Sequence, residues 1–135
     1  VLTKELMSGD TLDKIIFRPA RKDESRTIAM LFSLASDGVA DYVWTKYAKP
    51  GEAMLDAGER RYSDESSPFS YRNCIVAESG GKIAGMMVAF PMDRPDEPGT
   101  SGETDLVLAP YGRLEQYGSY YISGMALFPE YRGMG

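Results

Sequence analysis

The end of the chain places a glycine-rich turn and a cation directly after an apolar run. The run is Ser119–Phe128, and Arg132 precedes Gly133, Met134 and Gly135. Glycines let backbone N–H groups approach an anion closely, and a nearby cation adds charge, so this arrangement suits the binding of phosphate. The spacing is neither G-x-G-x-x-G nor a Walker loop. By themselves, these residues therefore also fit an ordinary turn after a strand.

The side chains available for chemistry exclude several mechanisms. The chain contains no histidine, so no Ser-His-Asp or Cys-His relay can form within it, and proton transfer must use Asp, Glu, Tyr, Lys or water. No group of carboxylates or cysteines has the spacing of metal ligands, and no metal is expected. Cys74 is the only cysteine and lies in an apolar run, which favours a buried structural thiol over a nucleophile.

Composition and charge limit the partners. The 135 residues suit one domain, with 43% hydrophobic and 26% charged residues. A formal net charge of -5 argues against binding to nucleic acid or to an anionic membrane, which both require many cations. The longest mostly apolar run, Ile83–Met92, is too short to span a bilayer. A cytoplasmic protein is expected.

The first half of the chain predicts a strand followed by helices. Val1–Lys14 is expected to be a flexible lead-in, and Ile15–Arg18 an apolar strand. Asp23 is expected to cap the first helix, which Asp37-Gly38 would end. One face of that helix is formed by Ile28, Leu31, Phe32 and Ala35. Further helices are expected within Val39–Ala48 and from Pro50 to about Tyr62.

The second half predicts an antiparallel hairpin and one more strand. Arg72–Glu78 and Ile83–Phe90 have strand character, and Ser79–Lys82 between them contains the paired glycines of a tight hairpin turn. Asp93–Gly102 is a loop, and Ser119–Phe128 is the clearest strand. The order of elements predicts an α+β fold with a sheet that begins antiparallel.

The segment Met125–Gly135 closely resembles the acetyl-CoA motif of the GNAT (GCN5-related N-acetyltransferase) superfamily. There, an apolar strand runs into Pro-Glu-Tyr and then Arg/Gln-x-x-Gly-x-Gly/Ala, of which Arg132–Gly135 match the first four positions. Upstream, Ile16–Ala20 with Asp23 is similar to the first strand of the superfamily. The resemblance covers Ile15–Gly135. It implies the first part of a single GNAT domain, with a mixed, mostly antiparallel sheet flanked by helices and its C-terminal part absent.

The resemblance also implies a cofactor site and an activity. The backbone of Met125, Ala126 and Leu127 would pair with the pantetheine arm of acetyl-CoA and polarise the thioester carbonyl, while the side chains pack in the core. The turn of Arg132, Gly133, Met134 and Gly135 would hold the pyrophosphate. The implied activity is acetyl transfer from acetyl-CoA to a primary amine of a small molecule or protein. Alternatives are a non-catalytic acyl-CoA sensor or scaffold, and an unrelated α+β domain without CoA affinity.

The catalytic residues are less defined. The histone-acetylating branch has a Glu on the fourth strand where this chain has Tyr121. Strand alternation would place Tyr121, Ser123, Met125 and Leu127 on one face, so Tyr121 and Ser123 could lie near the reacting centre. A structural tyrosine on the sheet fits equally. Further candidate bases are Glu97, Glu103 and Asp105, which also fit a solvated acidic loop.

The acceptor site is expected between the first helices. Asp37, Asp41 and Trp44 could receive a cationic amine by charge and cation–π attraction. They also fit a helix surface with solvated acids and a partly buried aromatic. The expected partner is an amine of unknown identity, and an unpaired strand edge makes a homodimer plausible.

Overall fold

The computed structural model describes residues 14–93, 105–114 and 116–134. Most of the expected lead-in and most of the expected loop Asp93–Gly102 lie outside these ranges. The strands are β1 (Ile15–Pro19), β2 (Cys74–Ser79), β3 (Lys82–Pro91) and β4 (Tyr120–Leu127). The helices are α1 (Ser25–Ser36), α2 (Val39–Tyr47), α3 (Met54–Ser63) and the short α4 (Ala109–Leu114). The fold is α+β, as predicted.

The four strands form one antiparallel sheet in the order β1-β2-β3-β4. The predicted hairpin between β2 and β3 is confirmed. Gly80 and Gly81 have φ angles of 57° and 78°, the left-handed values that a two-residue turn of this kind requires. Strand β4 is therefore an edge strand in the part of the chain that the structure describes.

Helix α1 packs on β3 and β4, and helices α2 and α3 pack against α1 to complete the core. The core joins Ile28 and Leu31 of α1 to Val76 of β2 and Val88 of β3, all fully buried. Cys74 is buried among them, as predicted. The predicted helix face is wrong at its last position, because Ala35 is exposed.

The start of α1 corrects a prediction. Asp23 does not cap the helix, because it lies inside a short 3₁₀ turn (Lys22–Glu24) that leads into α1. Glu24 instead belongs to a capping box of that 3₁₀ turn, since its carboxylate accepts a hydrogen bond from the backbone N–H of Arg21 at 2.7 Å. Arg18 of β1 holds the same carboxylate at 2.6 Å, so this contact also ties the helix to the sheet.

The ends of the helices follow their local chemistry. Asp37-Gly38 ends α1 as predicted, and both residues are left-handed, with φ angles of 50° and 91°. Helix α3 begins at Met54 rather than near Pro50, which lies in the preceding turn. The structure places no helix long and apolar enough to cross a bilayer among the residues that it describes.

Candidate functional site

Strand β4 contains a bulge at Ser123. Val88 of β3 lies opposite Gly124, whereas the next residue, Ala89, lies opposite Ile122. Ser123 is therefore an extra residue without a partner on β3. Its hydroxyl donates a hydrogen bond to the carbonyl oxygen of Val88 at 3.2 Å.

The bulge reverses the side-chain alternation of β4. Tyr121 packs toward the helices and the core, and its ring meets that of Phe90 at 5.6 Å. Beyond the bulge, Met125 and Leu127 lie on the opposite face and are 62% and 41% exposed. The prediction that Tyr121, Ser123, Met125 and Leu127 share one face is thus wrong. The predicted core packing of the Met125 and Leu127 side chains is wrong as well.

The same pairing determines which backbone groups of β4 face outward. The N–H of Phe128 donates to the carbonyl of Ala84 at 2.9 Å, so these two residues form a hydrogen-bonded pair. Such pairs alternate with non-hydrogen-bonded pairs along an antiparallel ladder. Met125 and Leu127 occupy the non-hydrogen-bonded positions opposite β3, so their N–H and C=O groups point to the open edge. The groups of Ala126 point toward β3.

A turn with a cation follows this edge. Pro129–Tyr131 form one 3₁₀ turn, and Gly133 has a left-handed φ of 74°. Arg132 folds back so that its Nε donates to the outward carbonyl of Leu127 at 3.1 Å. Met134 is exposed, and Gly135 lies outside the described residues. The predicted phosphate turn is therefore an exposed turn at the end of β4, with a guanidinium beside it.

Two glycines let the elements around β4 approach closely. A Cβ on Gly85 would lie 2.5 Å from the carbonyl oxygen of Ala126, and one on Gly124 would lie 2.8 Å from the ring of Phe32. The first contact shows that β3 has no room for a side chain at Gly85 beside Ala126 of β4. The second lets α1 cross directly over β4.

Two of the three predicted acceptor residues meet at a cavity of about 360 Å³. Asp41 and Trp44 line it, whereas Asp37 ends α1 and does not. Trp44 is only 1% exposed and packs edge-on against Tyr62, so only a small part of its ring borders the cavity. The apolar part of the lining is contributed by Met30, Leu34, Trp44, Met54, Leu55 and Phe128. The sequence feature that indicates this site is the pair of apolar residues Met30 and Leu34, which lie four residues apart in α1.

The chain is similar to two solved structures. One is an N-acetyltransferase from Staphylococcus aureus Mu50, with 23% identity, a TM-score of 0.56, and coverage of 89% of this chain and 69% of that one. The other is described as an acetyltransferase, with 22% identity, a TM-score of 0.58, and coverage of 89% and 67%. The chain has a GNAT-like fold. No protein-family model matches the sequence, and no curated protein matches it either.

Asp105, one of the candidate bases, is held by neighbouring side chains and backbone groups. Its carboxylate accepts a hydrogen bond from the Tyr42 hydroxyl at 2.6 Å, forms an ion pair with Lys46, and caps the backbone N–H of Val107 at 2.7 Å. Lys46 and Tyr42 hold the pKa of Asp105 well below its usual range. A general base at neutral pH requires a pKa nearer 7. The other two candidate bases, Glu97 and Glu103, lie outside the described residues.

The two candidate catalytic residues of β4 have different surroundings. Ser123 donates to the sheet backbone, so its hydroxyl oxygen can accept a further hydrogen bond but its proton is already used. Tyr121 is half-buried among aromatic side chains. Among the described residues, no three His, Cys, Asp or Glu side chains gather as metal ligands would.

Proposed function

We propose that this chain transfers an acetyl group from acetyl-CoA to a primary amine. The observation that carries the proposal is the open edge of β4. There, the N–H groups of Met125 and Leu127 point outward, and the strand runs directly into the turn with Arg132 and Gly133. The likeness to two structures described as acetyltransferases supports the same activity.

The residues of the edge and the turn fit acetyl-CoA. Outward N–H and C=O groups of an edge strand can pair with the amides of an extended pantetheine arm, as they would with another strand. The turn contains a glycine with a left-handed φ angle. The Nε of Arg132 bonds to the carbonyl of Leu127, and its two Nη groups remain to bind the ligand. A guanidinium is well suited to hold a pyrophosphate.

The bound acetyl-CoA would supply a thioester, whose carbonyl carbon an amine can attack directly with release of the CoA thiolate. The task of this chain is then to bind, orient and polarise. The N–H groups of Met125 and Leu127 are fixed by the strand and would donate to developing negative charge without reorganisation. The bulge at Ser123 sets their direction, because it fixes which residues of β4 alternate outward.

A second candidate function is a non-catalytic acyl-CoA sensor. It is favoured by the contacts of Asp105, whose carboxylate is occupied by the Tyr42 hydroxyl and by Lys46. It is also favoured by the hydroxyl of Ser123, whose proton bonds the sheet. A sensor would bind acetyl-CoA at the same edge but would not release CoA in the presence of amines.

The test is a calorimetric titration of acetyl-CoA into the protein expressed from its complete reading frame. Saturable binding is expected, and Arg132→Glu should weaken it at least tenfold, since the substitution places a carboxylate beside the pyrophosphate. Lys82→Glu reverses a charge of the same sign in the β2–β3 hairpin and serves as the control. Absence of binding by folded protein, or equal loss in both variants, would overturn the proposal. CoA release with a panel of primary amines then separates the enzyme from the sensor.

A further inference from the structure

The cavity beside Asp41 has one charged group in an apolar wall. It lies between α1, α2, the start of α3 and Phe128, and its volume is about 360 Å³. Its polar lining consists of Ser33 and Asp41, and its other lining residues are apolar. The site is an open groove, so a ligand there would keep part of its surface in solvent. Its apolar walls with few polar groups are of the kind found in small-molecule sites.

The carboxylate of Asp41 is available to a cation. It accepts a hydrogen bond from the Ser33 hydroxyl at 3.3 Å. Within residues 14–93, 105–114 and 116–134, no Lys or Arg lies within ion-pair distance of it. A ligand that fills the apolar part and places an ammonium at the rim would complement both features.

The cavity adjoins the C-terminal end of β4. Phe128, which forms part of the lining, directly follows Leu127 on the chain. The Leu127 carbonyl faces the open edge, where Arg132 binds it. A ligand in the cavity would therefore lie next to the end of β4.

We propose that this cavity binds the acceptor, and that the acceptor is a hydrophobic primary amine. The apolar body occupies the space beside Trp44, and Asp41 binds the ammonium at the rim. This inference rests on the proposed function because it takes the ligand to be the acceptor of the acetyl group. The binding that it predicts does not require acetyl-CoA.

The test is a titration of 2-phenylethylamine, which carries both features, into the protein without acetyl-CoA. Trp44 is the only tryptophan of the chain and lines the cavity, so its fluorescence reports on occupancy, and calorimetry gives the affinity. Saturable binding is expected with a change in the Trp44 emission. The neutral analogue 2-phenylethanol, which lacks the charge, and ethylamine, which lacks the apolar body, should each bind at least about tenfold more weakly.

Variants separate charge recognition from general effects. Asp41→Asn should weaken 2-phenylethylamine about tenfold and leave 2-phenylethanol unchanged. Asp23→Asn removes the same charge from an exposed position outside the lining and should change neither. Equal affinity for the amine and the alcohol, or no saturable binding of the amine, would overturn the inference. Acetyl-CoA binding is measured separately, so the failure of either claim is distinguishable from the failure of the other.

Discussion

The hydroxyl of Ser123 donates a hydrogen bond to the carbonyl oxygen of Val88, 3.2 Å away across the bulge of β4. Through this contact, the extra residue of the bulge is bonded to the backbone of β3. It therefore helps to fix the register beyond the bulge, on which the outward direction of the Met125 and Leu127 N–H groups depends.

Ser123→Ala tests whether this hydroxyl acts through the backbone. The free energy of unfolding should fall by about 1 kcal/mol, because one half-buried hydrogen bond is lost. The rate of acetyl transfer should fall less than about tenfold, since a group that moves protons typically contributes 100-fold or more. Urea denaturation and steady-state kinetics measure the two effects. A rate loss beyond 100-fold with unchanged stability would assign the hydroxyl to the chemistry instead.

Gly124→Ala tests the close packing of α1 over β4. The added Cβ would lie 2.8 Å from the ring of Phe32, so the variant should lose about 1–3 kcal/mol of stability. A second substitution, Phe32→Leu, should recover part of that loss because it removes the obstructing ring. Gly112→Ala is the matched control, since among the described residues its added Cβ would meet no side chain and no other element within 4 Å. Equal effects of the two alanine substitutions would contradict the packing described.

The sequence predicted those parts of the fold that local chemistry determines. The hairpin at Gly80-Gly81 and the end of α1 at Asp37-Gly38 depend on a few adjacent residues, and both were predicted correctly. The bulge at Ser123 depends on pairing with β3, which alternation along a single strand does not reveal. For this reason the predicted shared face of Tyr121 and Met125 was wrong.

Burial in the candidate site could not be predicted for a similar reason. Trp44 was expected to be available to an amine, yet it lies against Gly58 of α3, where an added Cβ would come within 2.9 Å of its ring. This burial depends on the tertiary packing of α2, including its contact with α3. The chemistry of Asp105 likewise depends on Lys46 and Tyr42, which are distant in sequence.

Glu24→Gln tests the ion pair at the start of α1. The hydrogen bond from Arg18 lowers the pKa of Glu24 from its ordinary value of 4.5. A depressed pKa in the fold stabilises the protein above the unfolded value, and this stability is lost as the pH falls through the folded value. The melting temperature of the variant should therefore be lower than that of the parent at pH 7, and the difference should shrink only as the pH falls from about 4.5 through the lower pKa of the folded state. A difference that stays constant as the pH is lowered below about 4.5 would contradict the assignment.

The thiol of Cys74 should be unreactive in the folded protein. Burial raises its pKa to about 12, so little thiolate is present at pH 8. Labelling with a disulfide reagent at that pH should proceed only as fast as the protein unfolds, and denaturant should make it immediate. Complete labelling of folded protein within the mixing time would show that the site is open. An inert Cys74 also lets the CoA thiol be measured without background.

The most direct test of the account is amide hydrogen exchange along β4, with and without acetyl-CoA. In the free protein, the amides of Met125 and Leu127 should exchange fast because they face the open edge, and those of Gly124 and Ala126 slowly because they bond to β3. Acetyl-CoA should slow Met125 and Leu127 selectively. Unchanged exchange at both residues, under conditions where calorimetry shows saturation, would contradict the claim that the edge of β4 binds acetyl-CoA.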